Sequence, residues 1–102
     1  MVKQNKVLSL LGLSARAGKL VSGEYSTETA VKSGKAALVL VAEDASANTK
    51  KLFHDKCSFY EVPVFDFGTK EMLGHAIGKE LRASVAVLDA GLADAVISHL
   101  ED

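Results

Sequence analysis

The chain has 102 residues, 12 basic and 13 acidic side chains and a formal net charge of −1, so one domain of 1–102 is expected, and the near-neutral balance alone argues against a nucleic-acid binder. A hydrophobic fraction of 48% excludes a disordered chain, and no apolar run approaches the ~20 residues of a membrane span. Residues 1–6 lack the apolar stretch and cleavage site of a signal peptide, and the single cysteine, Cys57, cannot form an internal disulfide, so a cytoplasmic setting is expected.

In chain order, Val7, Leu10, Leu11 and Ser14 recur at helical spacing, with Leu8 and Leu13 widening the stripe. A first helix over 4–16 follows from that period, ended by Gly18. Residues 19–22 have room for a very short strand. Gly23 opens a second helix and Gly34 closes it. Residues 36–42 form a continuous apolar run of strand length, the pattern of a strand buried on both faces. Glu43-Asp44-Ala45-Ser46 carries helix-capping chemistry. The helix behind it places Leu52, Phe53, Cys57 and Tyr60 on one side. Residues 62–67 read as another strand, with Pro63 restricted to its first positions or a sheet edge. Gly68-Thr69 caps a short helix through Ile77, and Gly78 stops it. Residues 83–88 repeat the pattern of a buried strand and are expected to pair with 36–42 at the centre of the sheet. Asp89 caps a last helix whose Leu92, Val96, Ile97 and Leu100 face inward. Short helices alternating with short strands make an α/β domain, with helices on both sides of a small sheet.

Charge is unevenly distributed. Residues 1–35 carry six basic and two acidic side chains, a net +4, whereas 36–102 carry six basic and eleven acidic, a net −5. That asymmetry is either a basic surface supplied by the first third or an ordinary solvated surface unevenly sampled.

Catalytic chemistry finds little support. Gly12-Leu-Ser-Ala-Arg-Ala-Gly18-Lys19 has the wrong glycine spacing for a phosphate loop. Leu20 sits where a magnesium-binding hydroxyl belongs, and a helix precedes it where a strand should. His54, His75 and His99 are too scattered for a metal site, and no metal or cofactor is expected. Cys57 lies on the apolar stripe of a helix, where a free cysteine fills the core. Glu43 and Asp44, adjacent before a helix, fit capping better than acid–base work. Anion and RNA recognition remain. The glycine at 23 permits close backbone approach, and the helix start behind it offers free amides to phosphate. Tyr25 either stacks on an unpaired base or packs against a neighbouring helix.

The segments Leu11-Gly12-Leu13 with Ala17-Gly18-Lys19, the 23–34 frame with Ala30-Val31, Ala42-Glu43-Asp44-Ala45-Ser46, Asn48-Thr49-Lys50-Lys51, Asp55-Lys56-Cys57, Val62-Pro63-Val64 and Leu73-Gly74 with Ala76-Ile77-Gly78-Lys79 follow in an order that resembles the L-seven-Ae family of small RNA-binding ribosomal proteins. The bacterial YlxQ branch is the most similar part of that family. The resemblance covers nearly the whole chain. It implies a three-layer α-β-α sandwich with a small four-stranded mixed sheet, and binding of kink-turn RNA, a sharply bent internal loop with sheared G·A pairs. The family carries Gly-x-Asn-Glu-x-x-Lys in the turn after the first strand. Here Gly23 keeps the glycine, while Tyr25, Ser26 and Thr29 stand at the Asn, Glu and Lys positions. The family's variable loop maps to Lys79-Glu80-Leu81-Arg82, and Ser46 and Lys50 map beside a flipped-out base.

The RNA-facing set thus implied is Gly23, Glu24, Tyr25, Ser26, Thr29, Lys32, Ser46, Lys50, Lys79, Leu81 and Arg82. Arg16, Lys19, Lys32, Lys79 and Arg82 are expected to share one face around the Gly23 turn. Ser26 lacks the paired acceptors that a carboxylate offers a guanine edge, and Thr29 brings no cation to phosphate. The expected function is that of a non-enzymatic RNA-binding protein of ribosomal type. Its partner would be structured RNA, with ribosomal RNA or the ribosome in view and no membrane. The alternative is a protein-interaction module on the same fold, with its RNA site degraded.

Overall fold

A computed structural model describes residues 2–101. The elements run α1 (Val2–Arg16), β1 (Leu20–Ser22), α2 (Glu24–Lys32), β2 (Leu38–Val41), α3 (Ala47–Tyr60), β3 (Val64–Asp66), α4 (Lys70–Ala76), β4 (Ser84–Val87) and α5 (Ala90–Leu100). The glycine-bounded segment 12–19 therefore begins inside a helix. Local chemistry explains most boundaries. Ser46, Thr69 and Asp89 each accept a hydrogen bond from the amide three residues on, at Thr49, Met72 and Leu92, and so satisfy amides that have no intrahelical partner. At the end of α1, Lys19 N–H donates to the Ser14 carbonyl at 2.8 Å and Gly18 N–H to Ala15 at 3.1 Å. That paired closure needs the left-handed φ of 72° found at Gly18.

The four strands lie in the order β1-β4-β2-β3. β4 runs antiparallel to both β1 and β2, while β2 and β3 are parallel, so the sheet is mixed. The two apolar runs are its central pair, in the register Leu38↔Val87 to Val41↔Ser84, and every residue of both strands is buried. Helices on both faces account for the absence of polar alternation. α1 packs against α4 and α5, and α2 packs against α3, giving the outer layers of an α-β-α sandwich. The core is aliphatic around one large aromatic, Phe53, with Leu11, Val31, Leu38, Leu40 and Leu73 fully enclosed. Pro63 directly precedes β3, an edge strand, where a missing amide is tolerated.

One expectation needs correction. Tyr60 does not join Phe53 and Cys57 inside. It is 40% exposed and meets the Phe59 ring edge-on, with centroids 4.9 Å apart. It is the last residue of α3, where the chain turns away through Glu61 at a left-handed φ of 59°. In α5, Leu92, Val96, Ile97 and Leu100 do face the core: Val96 is fully buried, and the other three are partly buried against it, with Ala93 enclosed between them.

One end of the sheet concerns function. There Gly23 N–H donates to the Ser84 carbonyl at 3.0 Å, Ala42 N–H to Ala83 at 2.8 Å, and Phe67 N–H to Val41 at 2.9 Å. This row gathers the β1–α2 turn, the entry to β4 and the exits of β2 and β3.

Candidate nucleic-acid interface

Gly23 caps α2 with φ 91° and ψ 161°, a conformation that strains any L side chain. Nothing lies within 4 Å of where a Cβ would stand, so conformation and not crowding demands glycine here, and the space outside stays open. The Gly23 carbonyl accepts from Thr27 N–H at 3.0 Å, and no side chain caps the helix. The amides of Glu24, Tyr25 and Ser26 are therefore the donors left at this helix start. Glu24 is exposed in the first turn; its charge suits the helix dipole and opposes an incoming anion. Tyr25 is 82% exposed, so its packing alternative does not hold. Ser26 and Thr29 are exposed beside it, while Thr27, Ala30 and Val31 hold the opposite side of α2 in the core.

The segment 79–82 reaches the same place by a different route. Lys79 N–H donates to the Gly74 carbonyl at 2.8 Å and Arg82 N–H to Lys70 at 3.0 Å, so the loop folds back along α4. Gly74 is buried against it, and a Cβ there would overlap the Glu80 carbonyl. Arg82 Nε then donates to Ser22 Oγ at 3.0 Å, and its Nη1 to the Leu81 carbonyl at 2.8 Å. The guanidinium is thus half-buried at the end of β1, beside Gly23, while Leu81 stands 58% exposed and Lys79 is exposed.

The start of α3 joins through Lys70, whose N–H donates to Asp44 Oδ1 at 2.8 Å and whose carbonyl holds Arg82. Ser46 lies at this end, with its hydroxyl occupied in capping Thr49. Lys50 is half-buried one turn on. These bonds tie the start of α2, the end of β1 and Arg82 to one end of the sheet, with the residues before α3 joined to it through Asp44 and Lys70; Lys79 hangs from Gly74, a helical turn further along α4, and Thr29 lies a turn further along α2.

The basic residues do not all gather there. Lys19 accepts at its carbonyl from Leu88 N–H, just past the β4 residue that pairs with Leu20, so it lies at the far end of β1 from Gly23. Lys32 is at the other end of α2, with its ammonium 3.7 Å from Glu28. Arg16 ends α1, its guanidinium over Gly12 where that helix meets the Ala76 carbonyl. The expectation of five cations around one turn fails because a three-residue strand and a nine-residue helix carry their ends roughly 10–13 Å apart.

Among the described residues no group of three or more His, Cys, Asp or Glu side chains comes together as a metal site. His54 Nε2 lies 2.7 Å from Asp66 Oδ1 on the surface, on the opposite edge of the sheet from β1. Burial pushes the Cys57 thiol up to about 11, which keeps it protonated and unreactive. No helix among the described residues is long and apolar enough to cross a membrane.

The profile of the ribosomal protein L7Ae/L30e/S12e/Gadd45 family matches residues 5–97. The chain belongs to this family. It is 48% identical over 92 residues to the RNA-binding protein YlxQ of Bacillus subtilis (strain 168), covering 90% of this chain and 92% of the relative. Against the RNA-binding protein YlxQ of Enterococcus faecium the identity is 43% over 90 residues, covering 88% and 86%. The large ribosomal subunit protein eL30 of Neurospora crassa is 41% identical over 90 residues, covering 82% and 79%. A solved structure of a protein with unknown function from Bacillus halodurans C has a TM-score of 0.92 at 43% identity, covering 95% of this chain and 98% of that one. The Giardia lamblia 15.5kD RNA binding protein shares the fold, with a TM-score of 0.80 at 23% identity and coverage of 99% and 87%. Family and fold agree with the ordered segments that pointed to them. Within the L7Ae/L30e fold, Tyr25, Ser26 and Thr29 occupy the first two turns of α2, and all three side chains reach solvent.

Proposed function

We propose that this protein is a non-enzymatic, ribosomal-type RNA-binding protein. It binds structured RNA with a kink-turn-like bend at the sheet end that carries Gly23. The observation that carries this reading is the Arg82 Nε–Ser22 Oγ hydrogen bond of 3.0 Å. It joins the loop of Lys79 and Leu81 to the β1–α2 turn, so two segments 60 residues apart present one surface. In this reading the free amides at the start of α2 and the Lys79 ammonium meet phosphates, which set register. Exposed Tyr25 and Leu81 meet unstacked bases. Ser46 and Lys50 border the same surface, and Lys32 contributes at most a distant charge. The names of the relatives at 43–48% identity support RNA as the ligand class, and the ribosome is the setting suggested by eL30.

The test is a fluorescence-anisotropy titration with three labelled RNAs: a kink-turn, the same RNA with its sheared G·A pairs replaced by Watson–Crick pairs, and a straight duplex of equal length. The kink-turn should bind tightest, with affinity falling linearly in log salt. Equal, weak binding to all three at physiological salt sinks the reading.

A further inference from the structure

The three positions that depart from the family's Gly-x-Asn-Glu-x-x-Lys pattern are not scattered substitutions. Tyr25, Ser26 and Thr29 line one groove of about 330 Å³ between α2 and the edge strand β1. Val21, Ala30 and Leu88 give it an apolar floor, and among the described residues its one charged lining residue is Lys35. The groove lies on the β1 flank of α2, away from α3, against which α2 packs on its other side. Its near end opens at Tyr25, on the surface proposed above. Its far end reaches Leu88, where the exposed Lys19 is hydrogen-bonded through its backbone.

We infer that this groove holds an unpaired nucleobase of the bound RNA, a second base site on the opposite flank of α2 from the start of α3. This rests on the RNA-binding reading. The chemistry selects that occupant. A base is a flat apolar ring with polar edges and a phosphate attached. Tyr25 offers a ring for stacking, and Val21 and Leu88 offer apolar cover. The exposed hydroxyls of Ser26 and Thr29 can each donate or accept to a base edge, so purines and pyrimidines are both admitted. Lys35 brings a cation to the lining for the attached phosphate, and among the described residues no carboxylate lines the groove to repel it. The family's Asn, Glu and Lys at these positions would fill the space with long polar side chains. Here Ser26 and Thr29 are shorter than the Glu and Lys they replace and leave it open, while the Tyr25 ring borders it.

The experiment uses a kink-turn RNA with unpaired nucleotides, each made abasic in turn, against the parent protein, Tyr25→Ala and Lys35→Ala. Both side chains are exposed, so both variants are expected to fold, and circular dichroism checks this. One abasic position should weaken the parent by about ten-fold and have little effect on Tyr25→Ala, a coupling that a double-mutant cycle reads directly. 2-Aminopurine at that position should change its fluorescence on binding the parent and not on binding Tyr25→Ala. Lys35→Ala should lower the salt slope by about one phosphate contact. If RNA binds but no abasic position couples to Tyr25, the second base site is overturned and the RNA reading stands. A uniform loss with Tyr25→Ala across every RNA also overturns it, as does groove occupancy by an apolar peptide in competition with no RNA component. If no structured RNA binds at all, both fall.

Discussion

Gly23 and Gly74 sit behind the two segments that make up the proposed surface, and they are glycines for opposite reasons. Gly23 has open space where a Cβ would be, but a φ of 91° that L residues avoid. Gly74 has ordinary helical geometry within α4 and no space, because the Glu80 carbonyl rests on its Cα. One position bends the chain so that amides face outward. The other lets the loop lie flat on a helix, so that Arg82 reaches Ser22. Composition records both as the same residue, while the physical constraint, backbone dihedral at one and interatomic distance at the other, differs completely. The first fails by strain and leaves the rest of the molecule in place. The second fails by displacing a loop.

The largest effect is expected from Gly74→Ala. The clash is with backbone, which cannot rotate aside. Destabilisation of about 3 kcal/mol is expected, even after the roughly 1 kcal/mol that alanine recovers as a better helix former. Urea denaturation measures it, and the same variant should lose RNA binding as the Lys79–Leu81 segment shifts. A variant as stable as the parent would mean the loop has another seat. Gly23→Ala should cost less, about 1–3 kcal/mol, because φ 91° with ψ 161° is a backbone state essentially reserved for glycine, with an unchanged denaturant slope because nothing else must move. If it costs more than Gly74→Ala, the distinction between the two glycines is wrong.

A gain is expected next. The triple change Tyr25→Asn, Ser26→Glu, Thr29→Lys restores the family pattern on exposed positions and should leave stability nearly unchanged. Affinity for a kink-turn without unpaired flanking bases should rise at least ten-fold, since each regained contact contributes on the order of 1–3 kcal/mol and neighbours add imperfectly. Any preference for an unpaired base in the groove should vanish in the same variant. The smallest effect is expected for Arg82→Lys. The charge stays, but an ammonium cannot reproduce the Nε bond to Ser22 together with the Nη1 bond to Leu81. A loss of about 1 kcal/mol in stability with little change in salt slope would separate the tie from the charge. A loss of about one salt-slope unit in Arg82→Ala, with the slope kept in Arg82→Lys, would instead make Arg82 a direct phosphate contact.

Much of the fold was legible before any coordinates. Ser46, Thr69 and Asp89 act as caps because each reaches an amide three residues away. Gly18 and Gly34 end helices, at φ 72° and 79°, by a preference internal to glycine. The runs 36–42 and 83–88 announced a doubly covered central pair because polar residues there would have no water to face. The end of α3 was less legible. Tyr60 keeps the apolar period, yet the helix outlasts the core beneath it, and periodicity carries no measure of how far a neighbour extends.

The candidate surface divides along the same line. The turn at Gly23 and the exposed start of α2 are local properties, available from residues 22–27. The family pattern and its three departures are likewise a matter of residue identity and order. Which cations join that turn was not available, because Arg82 reaches Ser22 across 60 residues, while Lys19, only four positions from Gly23, is carried to the other end of the strand. Nor was it legible that Tyr25, Ser26 and Thr29 share a groove with Leu88, since Leu88 arrives there only by following β4 alongside β1. Interactions that close within one helical turn are written in the order of residues. Those that depend on which strands lie side by side exist only once the sheet has assembled, and there distance along the chain ceases to measure distance in space.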